Sequence, residues 1–269
     1  MDTTEIIKKA ISLPFKAYKG FILVIFLFFI SEIIREVIYR INIEYLTPLL
    51  VLSELTITVF ILGICIALVY HYIDDSFDIK EVSLKTVTKA GFKDRFIEIY
   101  YYLLLIIGTI IISSSLGIYK NIFSVMDSIQ YVDAELESMT LPKLLNLLSP
   151  ESYTQLTLSI AAILIIFITL FSIVFAYCSF AKIRLKETGN MEDALNFVKL
   201  SRIIKNKGLK KFVIFVILTL IVFGTVLVLI RTLEPYPFIG NITSAFTEAY
   251  ALFFVLHSYS LFYYSDNIN

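Results

Sequence analysis

From residue 212 to residue 230 the chain reads FVIFVILTLIVFGTVLVLI, without a single charge. A helix crosses the hydrocarbon core of a bilayer with about 20 such residues, because its hydrogen bonds close within the segment and leave no backbone polar group facing lipid. A second run, LSIAAILIIFITLFSIVFAYCSF from Leu158, is equally apolar. The whole chain bears out the trend, with 269 residues, 58% hydrophobic and 17% charged. A soluble fold has no interior large enough for that share of Ile, Leu and Phe. The spacing predicts six spans, at 16–38, 48–71, 96–118, 156–181, 211–231 and 239–264. The fold class is therefore all-α, an integral membrane helical bundle within one membrane domain, 1–269.

Orientation follows from the basic residues. Eighteen Lys and Arg fall in the N-terminal segment up to Lys19, from Lys80 to Arg95 around the connection of spans two and three, or from Lys182 to Lys211 around that of spans four and five, against four on the other side (Arg40, Lys120, Lys143 and Arg231). The excess has one sign at every turn. It predicts a multi-pass protein of the cytoplasmic membrane with both termini inside. The first apolar run lacks a small-x-small cleavage site, and apolar residues resume at Ile33, Ile34, Val37 and Ile38, so it reads as a span and not a removable leader.

Three segments look alike: PFKAYKGFILVI from Pro14, GFKDRFIEIYYYL from Gly91 and GLKKFVIFVIL from Gly208. Each has a helix breaker, then Phe or Leu, then Lys, then a span, and each follows a short amphipathic segment. The physical reading is an elbow. A basic helix lies in the interface with its apolar face in the lipid boundary and its lysines toward anionic headgroups, and Pro or Gly then lets the chain turn inward. The pattern predicts three interfacial helices and a threefold repeat with units 1–75, 76–182 and 183–269. Any lysine-flanked span that enters from the cytoplasm has the same appearance, so the repeat is one of two readings. In the third segment Asn190 is the expected N-cap and Gly208 the expected end of a single helix. The acidic stretch 119–155 is an outer loop, with a short helix expected in LPKLLNLLSPES.

The segments AISLPFKAYKGFILVI, KAGFKDRFIEIYYYLLLIIGTII and AKIRLKETGNMEDALNFVKLSRIIKNKG carry a resemblance. The most specific piece is Thr188, Gly189, Ala194, Asn196 and Phe197, a T-G-x-x-x-x-A-x-N-F element. The chain resembles a family of polytopic membrane proteins of methanogenic archaea that is catalogued as a domain of unknown function. That resemblance implies a multi-pass membrane fold and brings no activity, substrate or site residue with it.

Motifs for chemistry are missing from the sequence. It has no phosphate-binding loop, dinucleotide fingerprint, zinc-protease helix, Cys-x-x-Cys pair or nucleophile elbow. Cys65 and Cys178 lie in apolar runs and read as small buried hydrophobes. His71, His257 and Cys178 fall at similar depths, and interfacial polar residues are the simpler reading than a metal site. No catalytic, cofactor-binding or metal residue is expected, and the chain reads as a non-enzyme. Its expected partner is the bilayer, with anionic headgroups at the basic helices. A formal net charge of zero provides no field for nucleic acid.

The strongest polar signal lies in the outer half. Glu32, Arg35 and Glu36 end the first span, Glu54 is early in the second, and Glu248 is inside the sixth. At about 1.5 Å per residue, Glu32, Glu54 and Glu248 sit roughly 10 Å below the outer surface. A charge deep in lipid costs about 3 kcal/mol on insertion scales, so such groups turn toward the bundle, toward water or toward each other. Glu32, Arg35, Glu54 and Glu248 are thus a candidate intramembrane polar cluster. Three readings stay open: a protruding helix end, a buried ion pair, or an ion or proton site. For the whole molecule, two functions compete. One is a scaffold or lipid-interacting module, and the other is a small transporter or channel that uses these carboxylates.

Cysteines placed at Asn190 and Asp133, in a background without Cys65 and Cys178, should label from opposite sides of sealed vesicles. Labelling of both from one side would overturn the topology.

Overall fold

The computed structural model of the chain describes residues 2–40, 47–73, 84–130, 148–232 and 237–265. Among them are ten helices: α1 (Thr3–Lys16), α2 (Tyr18–Arg40), α3 (Thr47–Ile73), α4 (Leu84–Ser115), α5 (Ile118–Gln130), α6 (Pro150–Thr188), α7 (Met191–Leu195), α8 (Phe197–Lys207), α9 (Leu209–Arg231) and α10 (Pro237–Tyr264). The fold is all-α, and the described residues form no strand. Five stretches are long and apolar enough to cross a membrane by themselves: Pro48–Tyr70, Thr88–Ser115, Pro150–Thr188, Leu209–Val228 and Ile239–Tyr264. The first predicted span, α2, qualifies only together with α1, from which it is bent by 77°. Lys19, Glu32, Arg35 and Glu36 all lie in α2 and dilute it. The apolar helices make this a membrane protein.

The chain divides into two compact units. One comprises residues 1–99 and 176–269, and the other residues 100–175. In the first unit α10 is the hub and packs against α1, α2, α3 and α9. Its contacts are aromatic. Phe21 meets Phe246 and Phe253 edge-on, at 5.4 and 5.5 Å between ring centres. Phe215 stacks on Phe262 at 4.4 Å and meets Tyr259 edge-on at 4.9 Å. Phe180 meets Tyr259 edge-on at 5.3 Å. Such ring pairs contribute about 0.5–1.5 kcal/mol beyond the area they bury. The apolar residues left outside, among them Ile214, Ile217, Ile221 and Val228 of α9, form the surface that lipid covers.

The second unit holds the C-terminal part of α4, all of α5 and the N-terminal part of α6. Gly117, at φ +69°, separates α4 from α5 in a left-handed turn that a side chain would strain. A helix at 118–130 was not expected from the sequence, which reads there as the start of a loop. Most of the LPKLLNLLSPES segment lies outside the described residues. Its end is ordered by Ser149, whose Oγ accepts from the Ser152 N–H at 3.1 Å and caps α6. Leu158, Leu164, Ile165 and Ile168 of α6 are exposed, as a lipid-facing helix requires.

The elbows differ from expectation in three ways. First, α1 does not lay its apolar face in the lipid boundary. Ile6, Ile7, Ala10 and Leu13 are buried against protein, because α1 packs on α9 and α10. Second, the segment before Gly91 is not a separate helix. Its described residues, from Leu84, are the first turns of α4, which runs straight through Gly91. That glycine serves packing: a Cβ there would sit 2.2 Å from the Val59 carbonyl oxygen and 2.8 Å from the Gly63 nitrogen. Third, the expected single helix from Asn190 to Lys207 is two. Asn190 does cap the start, accepting from the Glu192 N–H at 3.0 Å. Asn196 then breaks the helix with extended backbone and caps α8 by accepting from the Lys199 N–H at 3.0 Å. Gly208, at φ +91°, ends α8 as expected.

The T-G-x-x-x-x-A-x-N-F element becomes a turn-and-cap device. Gly189, at φ +67°, terminates α6, and the Thr188 hydroxyl accepts from the Asn190 N–H at 3.3 Å. Ala194 is wholly buried, and Phe197 stacks on Tyr177 at 4.6 Å. Lys199 donates to Asp193, and that hydrogen bond holds the Asp193 carboxyl below its ordinary value.

Replacing Gly91 by Ala should therefore destabilise the detergent-solubilised protein by about 1–3 kcal/mol, the usual cost of overpacking. Gly108→Ala makes the control, since a Cβ there meets only Leu170 Cδ1 at 3.5 Å. It should be neutral or stabilising, because Ala is the better helix former. Equal melting temperatures for the two variants would remove the close-packing argument.

Candidate functional site

The helix α2 continues to Arg40, so the SEIIREVIYR segment is helical as far as its last residue. Ile33 and Val37 are exposed on one side of it. On the other, Arg35 Nη1 donates to Glu32 Oε1 at 2.8 Å and Arg35 Nε donates to Glu54 Oε1 at 3.2 Å. Glu32 is positioned by its i, i+3 spacing on the same helix and Glu54 by the packing of α3 on α2. Glu36 Oε2 accepts from Asn241 Nδ2 at 2.8 Å, which ties α2 to α10. Three of the four candidate residues are thus joined by direct contacts. The fourth, Glu248, has no hydrogen-bond partner among the described residues. It lies within electrostatic reach of Glu32 and Arg35.

A second charged cluster was missed in the sequence. Lys182 Nζ donates to Asp94 Oδ2 and to Glu98 Oε1, both at 2.6 Å. The other oxygen of Glu98, Oε2, accepts from Arg95 Nη1 at 2.6 Å. The Asp94 and Lys182 side chains are only 8% and 12% exposed, so this pairing occurs out of water. In the sequence Lys182 and Arg95 count among the eighteen basic residues that set orientation. The signal for pairing was present in the spacing: Asp94 and Glu98 stand i, i+4, and Arg95 and Glu98 i, i+3. Their partner Lys182 lies 84 residues beyond Glu98, and no local pattern points to it.

The two clusters belong to one charged interior. Tyr70 of α3 shares a cavity with Thr86 and Lys89 of α4, whereas Val59 and Gly63 of α3 face Gly91. The two helices are therefore antiparallel. Continuing that register, Glu98 reaches about the level of Glu54. Glu248 is within electrostatic reach of Arg95 and Glu98 as well as of Glu32 and Arg35. All eight groups (Glu32, Glu54, Asp94, Glu98 and Glu248 with Arg35, Arg95 and Lys182) belong to the first unit, in two separately paired sets with Glu248 in electrostatic reach of members of each.

The lysine-rich end opens into cavities. One, of about 370 Å³, is lined by α3, α4 and α6 and includes Lys89, Lys93, Lys182 and Lys186. A neighbour of about 410 Å³ holds Glu187 and His257 beside Lys186. Cys65 and Cys178 are buried free thiols, and no group of His, Cys, Asp and Glu among the described residues could hold a metal. The side chain of His71 lies outside the described residues.

Comparison with family models, with curated proteins and with solved structures finds no match for this chain.

Removing one partner of a buried pair leaves a bare charge and costs about 3–5 kcal/mol. Lys182→Met should fall in that range. Adding Asp94→Asn and Glu98→Gln to it should recover part of the loss. Arg35, more exposed than Lys182, should show the same pattern to a lesser degree, with Arg35→Ala partly rescued by Glu32→Ala. Thermal melting in detergent reads all of these. If Lys182→Met melts with the wild type, the cluster is solvated and carries no stability.

Proposed function

We propose that this chain is a non-enzymatic membrane protein, a scaffold or lipid-interacting module that works through its basic end. The carrying observation is how the short helices are docked. Helix α1 buries Ile6, Ile7, Ala10 and Leu13, and α8 buries Leu200 and Ile204. Their cations stay outside: Lys8, Lys9, Lys16, Lys199, Arg202 and Lys205 are all exposed. Lys9 pairs with Glu5 and Lys199 with Asp193, so the surface is structured as well as basic. In the orientation set by the lysine and arginine asymmetry, this is the cytoplasmic face. Each such charge near an anionic membrane surface contributes about 1 kcal/mol.

A small transporter or channel is the second reading. It is favoured by Glu248, a carboxylate within the sixth span that sits between paired clusters without a hydrogen-bond partner among the described residues. Ionisable groups inside a membrane commonly mark ion or proton paths.

Two measurements separate them. In nanodiscs, the melting temperature of the wild type should rise with the anionic lipid fraction. A variant with Lys199, Arg202, Lys205 and Lys207 changed to Gln should lose most of that rise. In proteoliposomes, proton flux should equal that of empty vesicles. Flux that is present and abolished by Glu248→Gln would establish transport in place of the scaffold reading.

A further inference from the structure

We propose that α5 is an interfacial helix that lies along the membrane surface at the C-terminal end of α4, with Tyr119 and Phe123 in the boundary between headgroups and acyl chains. This goes beyond the basic end described above and does not depend on it.

The position of α5 follows from the charges on either side of it. After Glu98 the next charged residue is Lys120, and the 21 residues 99–119 carry none. A run of about 20 residues crosses the hydrocarbon core, so Lys120 falls where the headgroups begin. Ser115 ends the apolar stretch Thr88–Ser115, and Gly117, at φ +69°, then turns the chain into α5. With 13 residues, α5 is too short to cross the core, which takes about 20. Its polar residues Lys120, Asn121, Ser124, Asp127 and Ser128 recur along its length, which suits a helix lying at the surface.

The side chains of α5 divide it into three sectors, at about 100° per residue. Ile118, Ile122 and Val125 share one face, and Ile118 and Val125 are buried. Tyr119 and Phe123, spaced i, i+4, share the next. Lys120, Asn121 and Ser124 make the third, and all three are exposed. Phe123 is 62% exposed, and Leu116, just before the turn, is 65% exposed.

A lone exposed Phe on a protein surface needs no explanation. Phe123 differs because of what precedes it. Ile107, Ile110 and Ile111 of α4 are exposed, as is Leu116, and lipid covers such a face. Phe123 continues that apolar surface past the turn. Tyr119 presents a ring with a polar tip, the form that aromatic residues take at membrane boundaries. Lys120 can lay its stem on hydrocarbon and keep its ammonium among headgroups. The bilayer is therefore the partner that satisfies every sector. Protein covers Ile118 and Val125, acyl chains cover Tyr119 and Phe123, and headgroups and water take the third face. Helices α1 and α8 bury their apolar residues against protein, whereas α5 presents an apolar sector outward. The contact is apolar, so it requires no anionic lipid.

The chain contains no Trp, so a single substitution supplies the only indole reporter. Phe123→Trp and Asn121→Trp are made in the full chain and reconstituted into phosphatidylcholine nanodiscs. Emission from Phe123→Trp should be blue-shifted by several nanometres relative to Asn121→Trp. Phosphatidylcholine brominated near the headgroup end of its acyl chains should quench Phe123→Trp several-fold more than Asn121→Trp, and aqueous iodide several-fold less. Bromine near the chain ends should quench it less than bromine near the headgroups. Added salt or phosphatidylglycerol should leave these values unchanged. Leu116→Trp reads the same boundary from the other side of the turn, should position 123 not accept the larger ring. Iodide quenching of Phe123→Trp equal to that of Asn121→Trp, with no effect of brominated lipid, would place α5 in water and overturn the proposal. Strongest quenching by bromine at the chain ends would place it inside the core and overturn it as well. Lipid quenching that appears only with phosphatidylglycerol would make the contact one of charge, again against the proposal.

Discussion

A charge inside a helical bundle has to be matched inside that bundle, and Lys182 is where this chain meets the requirement most completely. Its ammonium lies between Asp94 and Glu98, and Glu98 in turn holds Arg95. The contact fixes α6 against α4 in both register and rotation. A slip of one residue along either helix would turn a carboxylate into lipid. Apolar packing alone tolerates such slips, because one Leu or Ile replaces another at small cost. An ion pair with the donor between two acceptors does not tolerate them. Gly91 acts in the same region by a different force. Without a side chain there, α4 comes close enough to α3 for its backbone to pack against Val59 and Gly63. The charged contact specifies the α4–α6 register, and the glycine sets the α3–α4 distance.

The hub helix α10 shows how aromatic packing and interior polarity coexist. Its C-terminal turns carry Phe253, Phe254, Tyr259 and Phe262, which are buried among rings of neighbouring helices. Its N-terminal half carries Asn241, which donates to Glu36, and Glu248. The same helix therefore contributes both aromatic packing and a carboxylate within electrostatic reach of members of both charged sets. Helix stretches without a polar duty are simpler. Helix α9 has no ionisable residue from Phe212 to Ile230, and α6 exposes a long aliphatic face. These are the parts of the molecule that only the bilayer has to solvate.

How much of this was legible depended on whether a local pattern encoded it. Apolar runs encode spans directly, and the five helices that qualify alone coincide with five of the six expected stretches to within a few residues at most ends, with α4 starting earlier and α6 both starting earlier and ending later. The Glu32–Arg35 pair was legible from its i, i+3 spacing and a polar face opposite Ile33 and Val37. Asn190 and Gly208 were legible as caps because their backbone chemistry is local. Gly91 was misread because a glycine that breaks a helix and a glycine that admits a neighbouring backbone look the same in sequence. Asn196 was missed because a strong capping residue inside an amphipathic run is masked by the periodicity around it. Lys182 was counted toward topology because a lysine at the end of an apolar run normally faces headgroups. Only its distant partners show otherwise.

The docking of α1 and α8 changes what the exposed lysines can do. An amphipathic helix that lies in the interface binds lipid through both apolar burial and charge. In this chain Ile6, Ile7, Ala10 and Leu13 of α1 and Leu200 and Ile204 of α8 are already buried against protein, so the outward cations act mainly through electrostatics. Such attraction acts at the surface and is screened over about 8 Å at physiological ionic strength. It answers to the average charge of the leaflet and distinguishes one anionic lipid from another only weakly. If the surface attracts anionic lipid as proposed, that attraction should therefore weaken steeply as salt rises, because no further apolar face of the docked helices enters the bilayer to hold it.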